Sequence, residues 1–513
     1  MDAPPVRLAA RERFARHVLT ELLCDADVIN HRQAVLTDLL EYPLLRQRLE
    51  QLLPALEALG DAPRGERYKP YAEPGLERVV RRLADLELLV EVVIGMTDAV
   101  AETPAQSAGL RSVARVLREM RETSEFEALE RELPGLRARL FNVRSVTIGV
   151  NLGPDLSPQS ATIVDLASTP VEGRLTLLAR LLGAHAGEHG LTPLQRGERG
   201  PLGQPNELVR DLRHLLAQVV DPINAALDRF SRVSADALSQ LGSELALLLG
   251  AARLTERIRD AGLPVCRPDC VAMERRCAEL CDAYDLGLAL TQTPDGVGMV
   301  TNDVCFDKRL GRVWVLTGPN RGGKTTYTRA VGLAQVLFQA GLYVPARSAR
   351  ISPVDRIYTH FPSREQARPG FGRLDVEAER LASIFRHATS RSLILLNEAL
   401  AGTSALEALD LAIGVVRGLR LLGARAIYVT HLHELAASVD DINATTPGDG
   451  TVASLIAEAS EDGLAADTGE ARRRTYRVQP GPPHGVSFAA EIAEQHGISY
   501  AQLARLLRER NQR

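Results

Sequence analysis

Aliphatic residues recur at helical spacing through the first half of the chain. Leu36, Leu39, Leu40, Leu44 and Leu45 mark one face within residues 5–58, which read as helical. After a Gly/Pro-rich break at 59–75 the helical pattern resumes from Leu76 to about Leu140. Ser145–Asn151 alternates like a strand, Pro154–Gln159 turns and Ser160–Leu166 returns, which predicts a small β insertion within about 141–175. Residues 185–206 are polar and rich in Gly and Pro, a loop signal. From Asn206 the residues Leu208, Leu212, Leu215, Val219, Ile223, Leu227 and Phe230 form one apolar stripe, with Pro222 set to kink or divide it. A second stretch, about Ala235 to Ala261, repeats the pattern. Two such helices make a lever or the core of a bundle, and their period alone does not choose between them. Beyond about Gly262 strands alternate with helices, predicting a parallel α/β sheet. The expected division is therefore a helical core and lever region at 1–265 and an α/β domain at 266–513. Within the latter, acidic 440–470 reads as a surface loop and Ser499–Arg510 as an exposed helix.

The α/β part carries the chemistry. Val313–Thr317 is an apolar strand and Tyr327–Ala340 is helix-like; between them stands Gly318-Pro319-Asn320-Arg321-Gly322-Gly323-Lys324-Thr325-Thr326. This is G-x-x-x-x-G-K-[ST] in a strand–loop–helix setting, a phosphate-binding loop. The glycines let backbone N–H groups turn inward around phosphate oxygens, and the helix N-terminus adds partial positive charge. Lys324 is placed to reach the β- and γ-phosphates of ATP and the Thr325 hydroxyl to ligate Mg²⁺. A second apolar strand, Ser392–Leu396, ends in Asn397-Glu398. A carboxylate is expected at the first of these positions to help hold Mg²⁺; Asn397 brings no charge, which predicts weaker metal binding and slower hydrolysis. Glu398 holds the position of the residue that polarises the attacking water. A third strand, Ala426–Thr430, ends at His431, where an imidazole can sense or stabilise transferred charge.

Composition narrows the setting. Hydrophobic content of 45% with 25% charged residues is that of a globular protein of several domains, and aromatic content of 4% suits aliphatic, helix-rich cores. The net charge of −4 excludes a chain that is basic throughout, so any DNA contact must use a local Arg-lined surface or a channel between subunits. Only three lysines occur, Lys69, Lys308 and Lys324, and one of them sits in the phosphate loop. No apolar run approaches a membrane span, and the N-terminus does not read as a signal peptide, so the expected compartment is the cytoplasm. Six cysteines fit reduced thiols. Four of them, Cys266, Cys270, Cys277 and Cys281, could bind Zn²⁺ or pack as small hydrophobes; Cys277 and Cys281 would share a face if helical.

These segments together resemble the MutS family of DNA mismatch-repair ATPases. Thr317–Tyr327 is similar to the family's Walker A segment and Gly341-Leu-Tyr-Val-Pro-Ala346 to its following strand. Asp355–His360 resembles its "D-R-I-F-T-R" strand. Asn397-Glu398 with Gly402-Thr-Ser404 looks like "D-E-x-x-x-G-T-S", and Thr430–Leu435 like "T-H-x-H-E-L". Thr475–Gly481 followed by Ser487–Ala493 is similar to the closing region of that domain, and Asp27–Val35 resembles the start of the family's helical core.

The resemblance implies an ABC-type P-loop ATPase domain behind a helical lever, and a homodimer formed through the ATPase domains. It further implies a nucleotide-driven switch on DNA repair or recombination intermediates. Departures point to a lever-plus-ATPase relative without the mismatch-reading domain: no Phe-x-Glu occurs, and the family's G-x-S-T-F segment reads Gly370-Phe-Gly-Arg-Leu here. Gly372 and Arg373 then replace Ser and Thr, and Arg373 is either a cation reaching across a dimer or a surface charge. Asn302-Asp303 falls near where the family lines its nucleotide pocket. The alternative to DNA binding is a nucleotide-driven switch whose levers engage a protein partner.

Overall fold

The computed structural model describes residues 5–61, 76–141, 145–154, 158–167, 236–291, 298–361, 372–400, 404–459 and 474–483, with the isolated positions 169, 502, 503, 505 and 508. The stripe at 206–230, the loop at 185–206 and the segment Ser487–Ala493 lie outside the described residues. The described helices and strands, in chain order, are α1 (Pro5–Thr20), α2 (Ala26–Glu41), α3 (Pro43–Asp61), α4 (Leu76–Ala101), α5 (Ala108–Arg121), α6 (Ser124–Phe141), β1 (Ser145–Leu152), β2 (Pro158–Ala167) and α7 (Asp236–Asp260). There follow β3 (Asp269–Cys270), β4 (Ala278–Ala283), α8 (Leu286–Thr291), β5 (Asn302–Phe306), β6 (Val313–Thr317), α9 (Lys324–Gln339), β7 (Ser348–Ile351), β8 (Ile357–His360), α10 (Arg373–His387) and β9 (Leu393–Asn397). The last are α11 (Ala405–Leu422), β10 (Arg425–Val429), α12 (His433–Ala437), α13 (Val439–Thr445), β11 (Val452–Ala459) and β12 (Arg474–Pro480). Helix and sheet are mixed, as the α plus α/β reading expects.

Two compact units divide the chain, and neither is continuous in sequence. One comprises residues 1–3, 42–105 and 110–246; the other comprises 4–41, 106–109 and 247–513. In the first, α3 packs on α4 and α4 on α6. Leu45, Leu49, Leu53 and Leu56 supply the buried stripe of α3, and Phe126, Leu129, Leu133 and Leu136 that of α6, each at helical spacing. β1 and β2 pair antiparallel from Ser145↔Ala167 to Leu152↔Pro158.

The second unit holds a six-stranded sheet in the order β12-β11-β6-β10-β9-β8 and a four-stranded sheet in the order β3-β7-β4-β5. In the larger sheet every pairing from β11 to β8 is parallel, and β12 adds antiparallel at one edge. Alternation explains why its strands read as continuous apolar runs. Trp314, Leu316, Leu395, Ile427 and Val429 enter one core with Tyr327, Val331 and Phe338 of α9. Val313, Val315, Ile394, Ala426 and Tyr428 enter the opposite core with Ile384 of α10 and Val416 and Leu419 of α11. A parallel sheet covered by helices on both faces has no polar face to interrupt the pattern.

Three expectations need correction. The smaller sheet pairs β4 antiparallel with both β5 and β7, so these three strands do not extend the parallel pattern. Its strands are short, and β4 alternates buried and exposed positions, a weak signal beside the apolar strands of the main sheet. Gly341–Ala346 is not a strand; Val344 makes an isolated antiparallel bridge with Cys266. The acidic stretch 440–470 contains α13 and then β11, which pairs parallel with β6. Asp440 and Asp441 lie on the short helix, and the apolar strand behind them is hidden by its acidic surroundings.

Candidate nucleotide-binding site

Strand order creates the site. β10 lies between β6 and β9, and Val429 is opposite Leu316 on one side and Asn397 on the other. Chain segments leaving the three carboxyl ends of these strands therefore meet at one edge, where open α/β sheets gather their ligands. The phosphate loop leaves β6, Asn397-Glu398 ends β9, and Thr430-His431 follows β10.

The loop needs its glycines for distinct reasons. Gly318 has φ +140°, and an added Cβ would stand 2.8 Å from both the Cβ and the carbonyl oxygen of Ala457 on β11. Gly323 has φ +93° and caps α9 with no side-chain hydrogen bond to the first turn. That end of the helix keeps its N–H groups for a ligand. Lys324, 5% exposed, folds back into the loop and donates from Nζ to the carbonyls of Gly318 (2.8 Å) and Pro319 (3.0 Å). An ammonium has three donors, so one remains for an anion. Burial lowers the Lys324 pKa from 10.5 to about 8, opposed by the Glu398 carboxylate. Pro319 and Gly322 are buried, whereas Asn320, Arg321 and Thr325 are exposed and Thr326 is half-buried.

Two further pairs complete the cluster. Thr325 Oγ1 donates to Asn397 Oδ1 at 3.3 Å, so the hydroxyl and amide expected at Mg²⁺ do meet. His431 Nε2 lies 3.1 Å from Glu398 Oε1, and the Glu398 N–H donates to the Val429 carbonyl at 2.9 Å. The turn carrying Glu398 is tight: Glu398 has φ +52° and Leu400 φ +67°. The buried Tyr428 hydroxyl, donating to the Ala399 carbonyl at 3.2 Å, helps hold that turn.

The residues fit a nucleoside triphosphate: an uncapped helix start, a loop free of β-carbons where the backbone turns, and a buried lysine with a donor to spare. Toward Mg²⁺ they offer two neutral oxygens and no carboxylate at position 397.

Tyr476 was missed in the sequence. It has φ +55°, and its ring lies 3.6 Å from where a Cβ of Gly323 would be. Asn302 positions the segment: its Nδ2 donates to the Tyr476 carbonyl at 3.1 Å, and its Oδ1 accepts from the Val478 N–H at 2.7 Å. Asn302 is thus spent on β12 backbone. Asp303 likewise accepts from the Asp282 N–H through its carboxylate and from the Tyr327 hydroxyl through its carbonyl. Gly370, Phe371, Gly402 and Thr403 lie outside the described residues, as does the Arg373 side chain.

The cysteines are not on a helix. Cys281 lies within β4 and Cys277 just before it, so the two are separated by roughly 13 Å of extended chain at about 3.3 Å per residue. Burial pushes the Cys266 thiol up to about 12. Among the described residues no group of three or more His, Cys, Asp or Glu side chains is arranged to hold a metal.

Comparison with known proteins agrees with this geometry. The model of MutS domain V matches residues 314–474, from β6 to the start of β12. The model of the MutS2 N-terminal domain matches residues 24–261. The chain is a MutS-family relative. It is 30% identical over 311 residues to the DNA mismatch repair protein MutS of Sorangium cellulosum, covering 60% of this chain and 32% of that protein. It is 41% identical over 202 residues to the DNA mismatch repair protein MutS 2 of Halobacterium salinarum, covering 39% of this chain and 22% of that one. This MutS relative thus spans about a third or less of the length of these proteins. No helix among its described residues is long and apolar enough to cross a membrane.

Proposed function

We propose that this MutS relative binds ATP in the loop 318–326 and hydrolyses it slowly, as a dimeric switch that changes its grip on DNA repair or recombination intermediates. The observation that carries this reading is the meeting of three strand ends with their pairs, Lys324 on the loop carbonyls, Thr325 on Asn397 and Glu398 on His431. Lys324 and the start of α9 bind the β- and γ-phosphates. Glu398 orients the attacking water and takes its proton as the water adds to the γ-phosphorus and the bond to the bridging oxygen breaks, releasing ADP and phosphate. His431, donating from Nε2, holds the Glu398 carboxylate in place and stabilises charge on the transferred group. Mg²⁺, when bound near Thr325 and Asn397, would neutralise charge on the phosphates. Asn397 contributes no charge of its own, which supports slow turnover.

ATP bound between two ATPase domains would close the dimer, and hydrolysis would reopen it. The names of the relatives support DNA as the target, and the net charge of −4 supports a local rather than a general contact surface. That same charge favours the second reading, a protein partner on the lever helices.

The test is the ATPase rate with homoduplex, mismatched and four-way-junction DNA at two salt concentrations, beside a Lys324→Ala control. Stimulation by one structure, weakening steeply with salt, is the expected result. A rate indifferent to all DNA overturns the DNA reading in favour of the protein partner. ATP affinity retained by Lys324→Ala overturns the loop assignment itself.

A further inference from the structure

We infer that this site takes the nucleoside triphosphate itself as a full-affinity ligand, without Mg²⁺, and that Arg321 is the phosphate-binding cation that makes this possible. The inference rests on the ATP-binding reading above and extends it to the ionic form bound.

Three observations carry it. First, the metal position is neutral. Asn397 is buried, 4% exposed, and its Oδ1 is held 3.3 Å from Thr325 Oγ1. A carboxylate there would repel a metal-free triphosphate and need a divalent cation between the two anions; an amide does neither. Second, the nearest carboxylate in sequence, Glu398, is engaged by His431 Nε2 at 3.1 Å. A hydrogen-bond donor on that carboxylate draws its charge away from an incoming phosphate. Third, the loop carries a second cation. Arg321 is exposed, lies between Asn320 and Gly322 in the phosphate loop itself, and makes no hydrogen bond or ion pair with the described residues. Its φ of +60° is a conformation that favours glycine. The loop therefore keeps a long charged side chain where glycine would be more comfortable.

Arginine suits this task. Its guanidinium is always charged, is more weakly hydrated than an ammonium, and meets phosphate oxygens with two parallel N–H donors. Lys324 serves as a point charge inside the loop, and Arg321 stands exposed on the same loop. Together they supply two positive charges to the triphosphate from the chain, where a carboxylate-bearing site depends on a metal ion. The consequence is a nucleotide sensor that loads ATP at any Mg²⁺ concentration.

The test is the dissociation constant for ATP, measured by titration calorimetry in excess Mg²⁺ and in EDTA. Wild type is compared with Arg321→Gln, Arg321→Lys and Asn397→Asp. Wild type should bind within about threefold of the same affinity in both buffers, whereas Asn397→Asp should lose about tenfold or more in EDTA. Arg321→Gln should weaken binding in EDTA by about tenfold and in Mg²⁺ by much less, and Arg321→Lys, which keeps the charge but not the paired donors, should restore only part of the loss. A wild-type affinity that collapses in EDTA overturns the inference while leaving the ATP reading intact. So does an Arg321→Gln variant whose EDTA affinity is unchanged. Wild type that binds ATP in neither buffer overturns the ATP reading, and this inference falls with it.

Discussion

Raising the pH from 7 to 9.5 should stabilise nucleotide-free wild type by about 2 kcal/mol more than a Lys324→Met variant. The cause is the buried ammonium. Lys324 is 5% exposed, and burial lowers its pKa from 10.5 to about 8, with Glu398 the charged group that opposes the shift. The unfolded chain keeps this proton until about pH 10.5, whereas the folded chain gives it up near pH 8. Between those values the unfolded state binds more protons, so stability rises with pH. The full interval of about 2.5 pH units is worth about 3.5 kcal/mol at about 1.4 kcal/mol each, and the range from 7 to 9.5 captures a little over half of it. Methionine removes the titrating group. It also takes a donor from the Gly318 and Pro319 carbonyls, but that loss does not depend on pH. The variant therefore differs from wild type in offset and in slope, and only the slope tests the argument.

Urea unfolding followed by Trp314 is the assay. Trp314 is the only tryptophan in the chain, is buried in the strand leading into the phosphate loop, and donates from Nε1 to the Cys305 carbonyl at 2.7 Å. Other groups titrating in this range are common to both proteins and cancel. Saturating ATP should abolish the slope difference, because phosphate favours the charged lysine. If phosphate restores the ordinary value of 10.5, linkage makes ATP affinity about tenfold weaker at pH 9 than at pH 7. Parallel stability curves for the two nucleotide-free proteins would refute the buried-lysine argument.

Four other outcomes are expected. Gly318→Ala should cost at least about a hundredfold in ATP affinity by calorimetry, since its Cβ would meet the Ala457 carbonyl at 2.8 Å in a backbone conformation hostile to β-carbons. Gly414→Ala on α11, with open space around the new methyl, should instead stabilise by about 0.5–1 kcal/mol. Glu398→Gln should lower turnover by about 10²–10⁴ while keeping ATP bound, and size-exclusion chromatography should show more dimer with ATP than for wild type. Turnover equal to wild type would remove Glu398 from the role of base. Arg425→Met should cost only about 1–3 kcal/mol by the Trp314 assay, less than the loss of most buried ionic partners. Its guanidinium donates to the carbonyls of Cys277 (2.8 Å) and Ser352 (2.9 Å), but burial has already lowered its pKa to about 10. Each carbonyl also keeps another donor, Ser352 N–H for Cys277 and Gln335 Nε2 for Ser352.

How much of this could be read from the sequence depended on whether a residue's task is local. The phosphate loop is legible because each requirement falls within nine consecutive positions: φ at Gly318 and Gly323, the helix start at Lys324, the hydroxyl at Thr325. Strand ends β9 and β10 are legible because both faces of their sheet are buried, which leaves apolar runs broken only where function begins, at Asn397 and His431. What failed had its cause far along the chain. Cys266 and Val344 form a bridge across 78 positions, and neither neighbourhood looks like a strand by itself. Tyr476 looks like an ordinary strand residue until Asn302, 174 positions earlier, fixes its carbonyl and the Val478 N–H against β5. The same distinction explains Arg321. Its position is one of the four variable ones in the motif, so a charge there carries no sequence signal. Only the exposed, left-handed turn and the neutral partner 76 positions later, at Asn397, give that arginine something to do.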